Sequence, residues 1–209
     1  MDFWKAIKKQ LIPVVILEKK EDAIPLANAM LVGGITFMEV TLRTENALEC
    51  IRILREHCPE MTVGAGTVLN IRQLNQALEA GASFIVTPGY DREIVEACEE
   101  KSVPVIPGCV TPTEIMNALK DGLKVIKYFP SNLYGGITGM KALSAPFQQI
   151  SFMPTGGVNL ENMEEYIKQP FIYAVGGSFV CKENDILAGN FEKITALCKE
   201  AKQITEKRI

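Results

Sequence analysis

The chain has a single histidine among its 209 residues, His57. One histidine makes a multi-histidine zinc site impossible and leaves no Ser-His-Asp triad unless His57 itself serves. It falls in "LREHCPE", at what reads as a helix end, where a cation suits the dipole. No apolar run approaches the length of a membrane span, and "MDFWKAIKKQ" at the start lacks the apolar core of a secretion signal. The expectation is a cytoplasmic protein. The six cysteines include no C-x-x-C pair, which predicts free thiols in a reducing compartment. Only Cys109 falls near a strand end, and with no histidine to pair with it is a poor nucleophile. Net charge is −3 with Lys and Arg scattered along the chain, so no nucleic-acid or anionic-membrane partner is expected.

What is present is a repeat of short apolar runs. They cover residues 13–17, 37–40, 61–66, 84–89, 103–108, 125–130, 151–157 and 172–178, with starts roughly 20 to 26 residues apart. That spacing fits strand, loop, helix, loop. Continuous rather than alternating apolar runs suit parallel strands covered on both faces. The intervals carry helical stripes, Leu48, Ile51 and Leu54 in one and Ile71, Leu74 and Leu78 before Gly81 in the next. "TPTE" at 111–114 has Thr as N-cap, Pro at N1 and Glu at N3. Eight βα units with no linker predict one compact α/β domain over 1–209, a (β/α)8 barrel of the TIM type with short loops. A doubly wound open sheet is the alternative. The near-equal repeats and the missing G-x-G-x-x-G turn argue against it.

In such barrels the active site is built at the C-terminal ends of the strands. The polar residues there include Glu39, Arg43, Thr67, Lys127 and Thr155. Lys127 lies inside the apolar run "VIKYFP" and by alternation shares a face with Val125 and Phe129, whereas Lys124 lies on the other face at the start of the run. A free lysine titrates near 10.4, so about one in 2,500 is neutral at pH 7. A nucleophilic lysine needs its neutral form favoured, which interior desolvation and a nearby Arg43 would do and a nearby Glu39 would oppose. Two readings stay open for the Lys127–Glu39 pair, chemistry or a structural ion pair, and Lys127 could also snorkel to solvent. Arg43 could fork onto a substrate carboxylate or stay at the surface beside Glu45. "TGG" at 155–157 and "GGS" at 176–178 fall where the loops after the last two barrel strands form phosphate sites from backbone N–H groups. Tight turns use the same residues. Glu39 and Glu18 are the only acids near strand ends, too few for a dedicated metal site, so no metal is expected.

"MEVTLRT", "VGAGTVLN", "TPG", "IKYFPSN", "PTGG" and "VGGS", in this order and spacing, resemble the 2-keto-3-deoxy-6-phosphogluconate (KDPG) and 4-hydroxy-2-oxoglutarate (KHG) aldolases, from about Pro13 to the last helix. The resemblance implies that Lys127 is the Schiff-base lysine and Glu39 the acid/base. It implies that Arg43 and Thr67 hold the pyruvate carboxylate, that Pro88 and Phe129 contact substrate, and that Thr155 reads stereochemistry near C4. Gly156, Gly157, Gly177 and Ser178 match the phosphate end. The implied partners are a keto-acid phosphate and pyruvate, the implied assembly is a homotrimer, and neither metal nor organic cofactor is implied. Phe179 stands where some relatives have Trp, and "LYGGITGM" is longer than the corresponding stretch. The same chemistry on the galactonate epimer or on 4-hydroxy-2-oxoglutarate, a phosphate-barrel isomerase using Glu39 without an imine, and a non-catalytic phosphosugar-binding barrel are the alternatives.

Overall fold

The computed structural model describes residues 2–207, so Met1, Arg208 and Ile209, at the ends of the predicted 1–209 domain, lie outside the described residues. A short helix α1 (Phe3–Ile7) leads into alternating strands and helices: β1 (Leu11–Val15), α2 (Ala23–Val32), β2 (Phe37–Thr41), α3 (Ala47–His57), β3 (Thr62–Gly66), α4 (Ile71–Glu79), β4 (Ile85–Val86), α5 (Arg92–Glu100), β5 (Val105–Ile106), α6 (Pro112–Lys120), β6 (Val125–Tyr128), α7 (Gly136–Ser144), β7 (Ser151–Pro154), α8 (Met163–Lys168), β8 (Val175–Gly177), α9 (Glu183–Leu187) and α10 (Phe191–Glu206). The strands are parallel. Six form a curled sheet in the order β5-β4-β3-β2-β1-β8, and β6 pairs with β7. Isolated parallel bridges join Gly108 to Lys127, Phe152 to Ile172 and Thr155 to Gly176. With β8 beside β1 and β1 to β5 in unbroken succession, the order lacks the reversal that defines a doubly wound sheet. Among the described residues no helix is long and apolar enough to cross a membrane.

The helices follow from their stripes and caps. In α3, Ile51 and Leu54 are buried and Leu48 is half-buried; in α4, Leu74 is buried with Ile71 and Leu78 packed beside it. Thr111 and Glu114 close a reciprocal capping box on α6, which satisfies N–H groups that a bare helix end would leave open. His57 ends α3 as the sequence suggests. Two elements go beyond the sequence pattern. The glycine-containing stretch 136–144 is helix α7. The N-terminal α1 brings Phe3 within 5.0 Å of Phe84 and 6.2 Å of Phe37, ring to ring.

The concave face of the sheets is layered, and period-two alternation sets the layers. At the N-terminal ends, Ile12, Phe37, Phe84, Val86, Ile106, Val125 and Met153 form one buried apolar cluster, with Phe3, Trp4 and Tyr173 packed against it. Gly64 makes room for the Phe84 ring, because a Cβ there would overlap it. Two residues further along the same strands come Val14, Glu39, Lys127 and Thr155. An apolar floor therefore carries the polar side chains of Glu39, Lys127 and Thr155, with Val14 beside them, directly above it.

Candidate active site

Glu39 stands in the middle of β2, paired in register with Val14 on one side and Gly64 on the other. Its side chain is fully buried, and it lies so close over Gly66 that a Cβ there would collide with the carboxylate. Lys127, in β6, is 5% exposed. Its Nζ donates to Glu39 Oε1 at 3.1 Å and stands 5.4 Å from the centre of the Phe129 ring. Two charges taken out of water are costly unless they pair and find further hydrogen bonds. Here they pair but do not saturate each other. Glu39 Oε2 is buried with no partner, and so is Thr155 Oγ1. A buried polar atom left open in a native fold calls for an explanation, and a missing ligand or water is the ordinary one.

Above the pair lies a cavity of about 140 Å³. Of the residues expected from the sequence, Lys127, Arg43, Phe129, Thr155, Gly156, Gly157, Gly177 and Ser178 line it. Val14, Ile16 and Val158 complete the wall, three apolar side chains that polarity at strand ends does not reveal. Arg43 is exposed at the rim, and its Nε donates to Thr67 Oγ1 at 3.3 Å. No ion pair joins Arg43 to Glu45 among the described residues, so the surface alternative finds no partner there. Thr67 has φ +58°, a conformation that costs a non-glycine residue of order 1–3 kcal/mol and tends to persist at functional sites. Thr67 thus sits behind Arg43 rather than on the cavity wall. Pro88 also stands off the wall, half-buried, with its carbonyl packed against Gly108, where a Cβ would not fit.

The glycine-rich ends differ in what they require. Gly156 and Gly157 have φ of +92° and +78°, which L side chains rarely adopt. Gly176 is needed for a different reason: a Cβ there would collide with Thr155 Oγ1. A bland role for Thr155 would be to cap the loop after β7 with its hydroxyl. With no partner on Oγ1 that role fails, and the hydroxyl is available to something in the cavity.

All six cysteines are free and buried. Burial, with the Glu114 charge adding to it, pushes the Cys109 thiol up to about 12. Such a thiol is scarcely ionised at neutral pH and makes a poor nucleophile. Among the described residues no three His, Cys, Asp or Glu side chains are grouped to hold a metal ion.

A parallel α/β fold that gathers an amine, a carboxylate and open backbone turns at the C-terminal ends of its strands is built as an enzyme of the strand-end type. The family model for KDPG and KHG aldolases matches residues 5–197, and the chain belongs to that family. It is 46% identical over 195 residues to the 2-dehydro-3-deoxy-phosphogluconate aldolase of Treponema pallidum, covering 93% of each chain. It is 40% identical over 191 residues to the KHG/KDPG aldolase of Escherichia coli K12, covering 91% of this chain and 90% of that one. Among solved structures, the KDPG aldolase of Legionella pneumophila, with pyruvate captured as a covalent carbinolamine intermediate, superposes with a TM-score of 0.90 at 40% identity, over 95% of this chain and 96% of that one.

Proposed function

We propose that the chain is a class I aldolase that cleaves 2-keto-3-deoxy-6-phosphogluconate to pyruvate and glyceraldehyde 3-phosphate through an imine on Lys127. The observation that carries this is the buried contact of Lys127 Nζ with Glu39 Oε1 at 3.1 Å, with Lys127 on the wall of the strand-end cavity. The pyruvate carbinolamine of the Legionella relative supports the same covalent chemistry here.

Lys127 gives a proton to Glu39, and the neutral amine attacks the C2 carbonyl of the substrate. Glu39 returns its proton to the carbinolamine hydroxyl, which departs as water, leaving a protonated imine and an ionised Glu39. Glu39, directly or through a water, takes the proton of the C4 hydroxyl. The C3–C4 bond breaks, its electron pair flows into the imine, and glyceraldehyde 3-phosphate departs. The remaining enamine takes a proton at C3. Water then hydrolyses the imine, releasing pyruvate and restoring the amine. The open Oε2 of Glu39 can hold the C4 hydroxyl or the intervening water without breaking the contact to Lys127.

The other roles are assigned by position. Arg43, backed by Thr67, receives the substrate carboxylate at the rim. Phe129 covers the imine, Pro88 supports the neighbouring wall, and Thr155 meets the C4 hydroxyl. Gly156, Gly157, Gly177 and Ser178 accept the phosphate through backbone N–H groups and the serine hydroxyl. The reaction as written uses neither metal nor organic cofactor. We further read the chain as one domain in which the bridges from β5 to β6 and from β7 to β8 complete an eight-stranded barrel. A homotrimer working in the cytoplasm is the assembly and place we assign to it. The double naming of the Escherichia coli relative favours 4-hydroxy-2-oxoglutarate as a second substrate.

Borohydride reduction in the presence of pyruvate tests the imine. The intact protein should gain one stable adduct, and peptide mapping should put it on Lys127. No adduct, or one on another lysine, overturns the mechanism.

A further inference from the structure

We infer that Asn162 is a positioning residue that shapes the phosphate-binding loop through the carbonyl of Gly157. This rests on the aldolase reading and deepens it at one end of the substrate. The loop after β7 has its first three carbonyls tied back. Ser131 N donates to Thr155 O at 2.8 Å, Asn132 N to Gly156 O at 3.3 Å, and Asn162 Nδ2 to Gly157 O at 2.9 Å. In a trans peptide the carbonyl and the following N–H point in opposite directions. Anchoring three successive carbonyls therefore aims the N–H groups of Gly156, Gly157 and Val158 away from the anchors, and these three residues line the cavity. Neither Gly157 N nor Val158 N donates to another group among the described residues. Successive N–H groups in such a turn form a concavity that binds anions.

Two of the three anchors are backbone N–H groups, which no substitution short of proline removes. Asn162 is the one side chain. Its amide has no freedom to turn, because Asn162 Oδ1 accepts from Asn159 N at 2.9 Å while Asn162 N donates to Asn159 Oδ1 at 3.0 Å. The clasp leaves Nδ2 facing Gly157. Neither asparagine lines the cavity, so a change at either acts on substrate only through the loop.

The test compares the parent protein with Asn162→Ala, using inorganic phosphate as a binding probe by calorimetry and steady-state kinetics on two keto acids. Loss of one hydrogen bond should raise both the phosphate Kd and the KM for the phosphorylated substrate about three- to ten-fold. Kcat, the KM for non-phosphorylated 4-hydroxy-2-oxoglutarate and the rate of pyruvate trapping should stay within about two-fold. Equal rises for both keto acids would show a merely structural residue, and unchanged phosphate binding would also overturn the assignment. If Asn162→Ala fails to fold, Asn159→Ala loosens the clasp by removing Asn159 Oδ1, while the bond from Asn159 N to Asn162 Oδ1 stays, and it should show the same split at smaller size; no split there overturns the assignment. A parent that binds phosphate yet cleaves neither keto acid refutes the aldolase reading, while the phosphate arm still judges Asn162.

Discussion

The two ends of β6 face two different recesses. At the N-terminal end Lys124 and Val125 border one of about 570 Å³, walled by Trp4, Val103, Pro104 and Tyr173. At the C-terminal end Lys127 and Phe129 border one of about 140 Å³. By size the first would be the site. By chemistry it has little to work with: Lys124 is exposed, and Asp121 is taken by Tyr90 and Arg92. The smaller recess is lined by a buried amine and by Thr155, whose buried Oγ1 has no partner, and the amine is bonded to Glu39, whose Oε2 has none either. Unsatisfied buried polarity, which a fold tolerates only for a reason, separates the two ends where volume does not.

The strongest way to break this comparison is Lys127→Ala. Cleavage should fall by roughly four orders of magnitude or more, as it does when a covalent nucleophile is removed. The fold suffers as well, since Glu39 is left buried without its counter-charge, at about 3–5 kcal/mol. A double change, Lys127→Met with Glu39→Gln, should recover much of the melting temperature and none of the activity. If the double variant melts as low as the single one, the pair matters by shape rather than charge.

Glu39→Gln comes next. It keeps the side chain's outline over Gly66 and removes the base. Cleavage should drop by about two to four orders of magnitude, the usual cost of losing a general base, while borohydride still traps pyruvate on Lys127. Near-parental cleavage would make Glu39 a structural partner only. Thr155→Val is milder. The hydroxyl has no partner to lose within the protein, so stability should hold. One hydrogen bond to one epimer is worth about 0.5–1.5 kcal/mol, a few-fold to roughly ten-fold in the ratio of gluconate-derived to galactonate-derived cleavage. An unchanged ratio, measured by coupled pyruvate release, removes Thr155 from stereochemistry.

Much of the site is legible in the sequence because it breaks local expectation. A lysine and a glutamate stand out inside their apolar runs, and alternation alone puts Lys127 on the Phe129 face. The strand rhythm carries the α/β order but blurs its edges: the first apolar run spans 13–17, while β1 covers Leu11–Val15. Helix α7 is hidden because two glycines break up the first half of "GITGMKALS", and it is held by packing, with Met140 buried beneath it. Asn162 is invisible for a different reason. Its bond to Gly157 O spans five residues and exists only when two glycines take positive φ, which sequence spacing does not show.

The smallest effect is expected at Lys124, and it is the cleanest check on the contrast between the two ends. Lys124 and Lys127 are three residues apart, one just before the apolar run 125–130 and one inside it, and both border a recess. Only their surroundings differ. Lys124 is exposed, contributes its backbone carbonyl to Ser151 N at 2.8 Å, and makes no side-chain ion pair among the described residues. Lys124→Ala keeps that carbonyl and removes a solvated charge, a change worth about 0.5 kcal/mol or less. Melting temperature should barely move, pyruvate trapping should be unaffected, and kcat/KM should stay within about two-fold. A loss of ten-fold or more would mean that the larger recess takes part in the reaction. Buried, unpartnered polarity would then be a poor guide to where this fold does its chemistry.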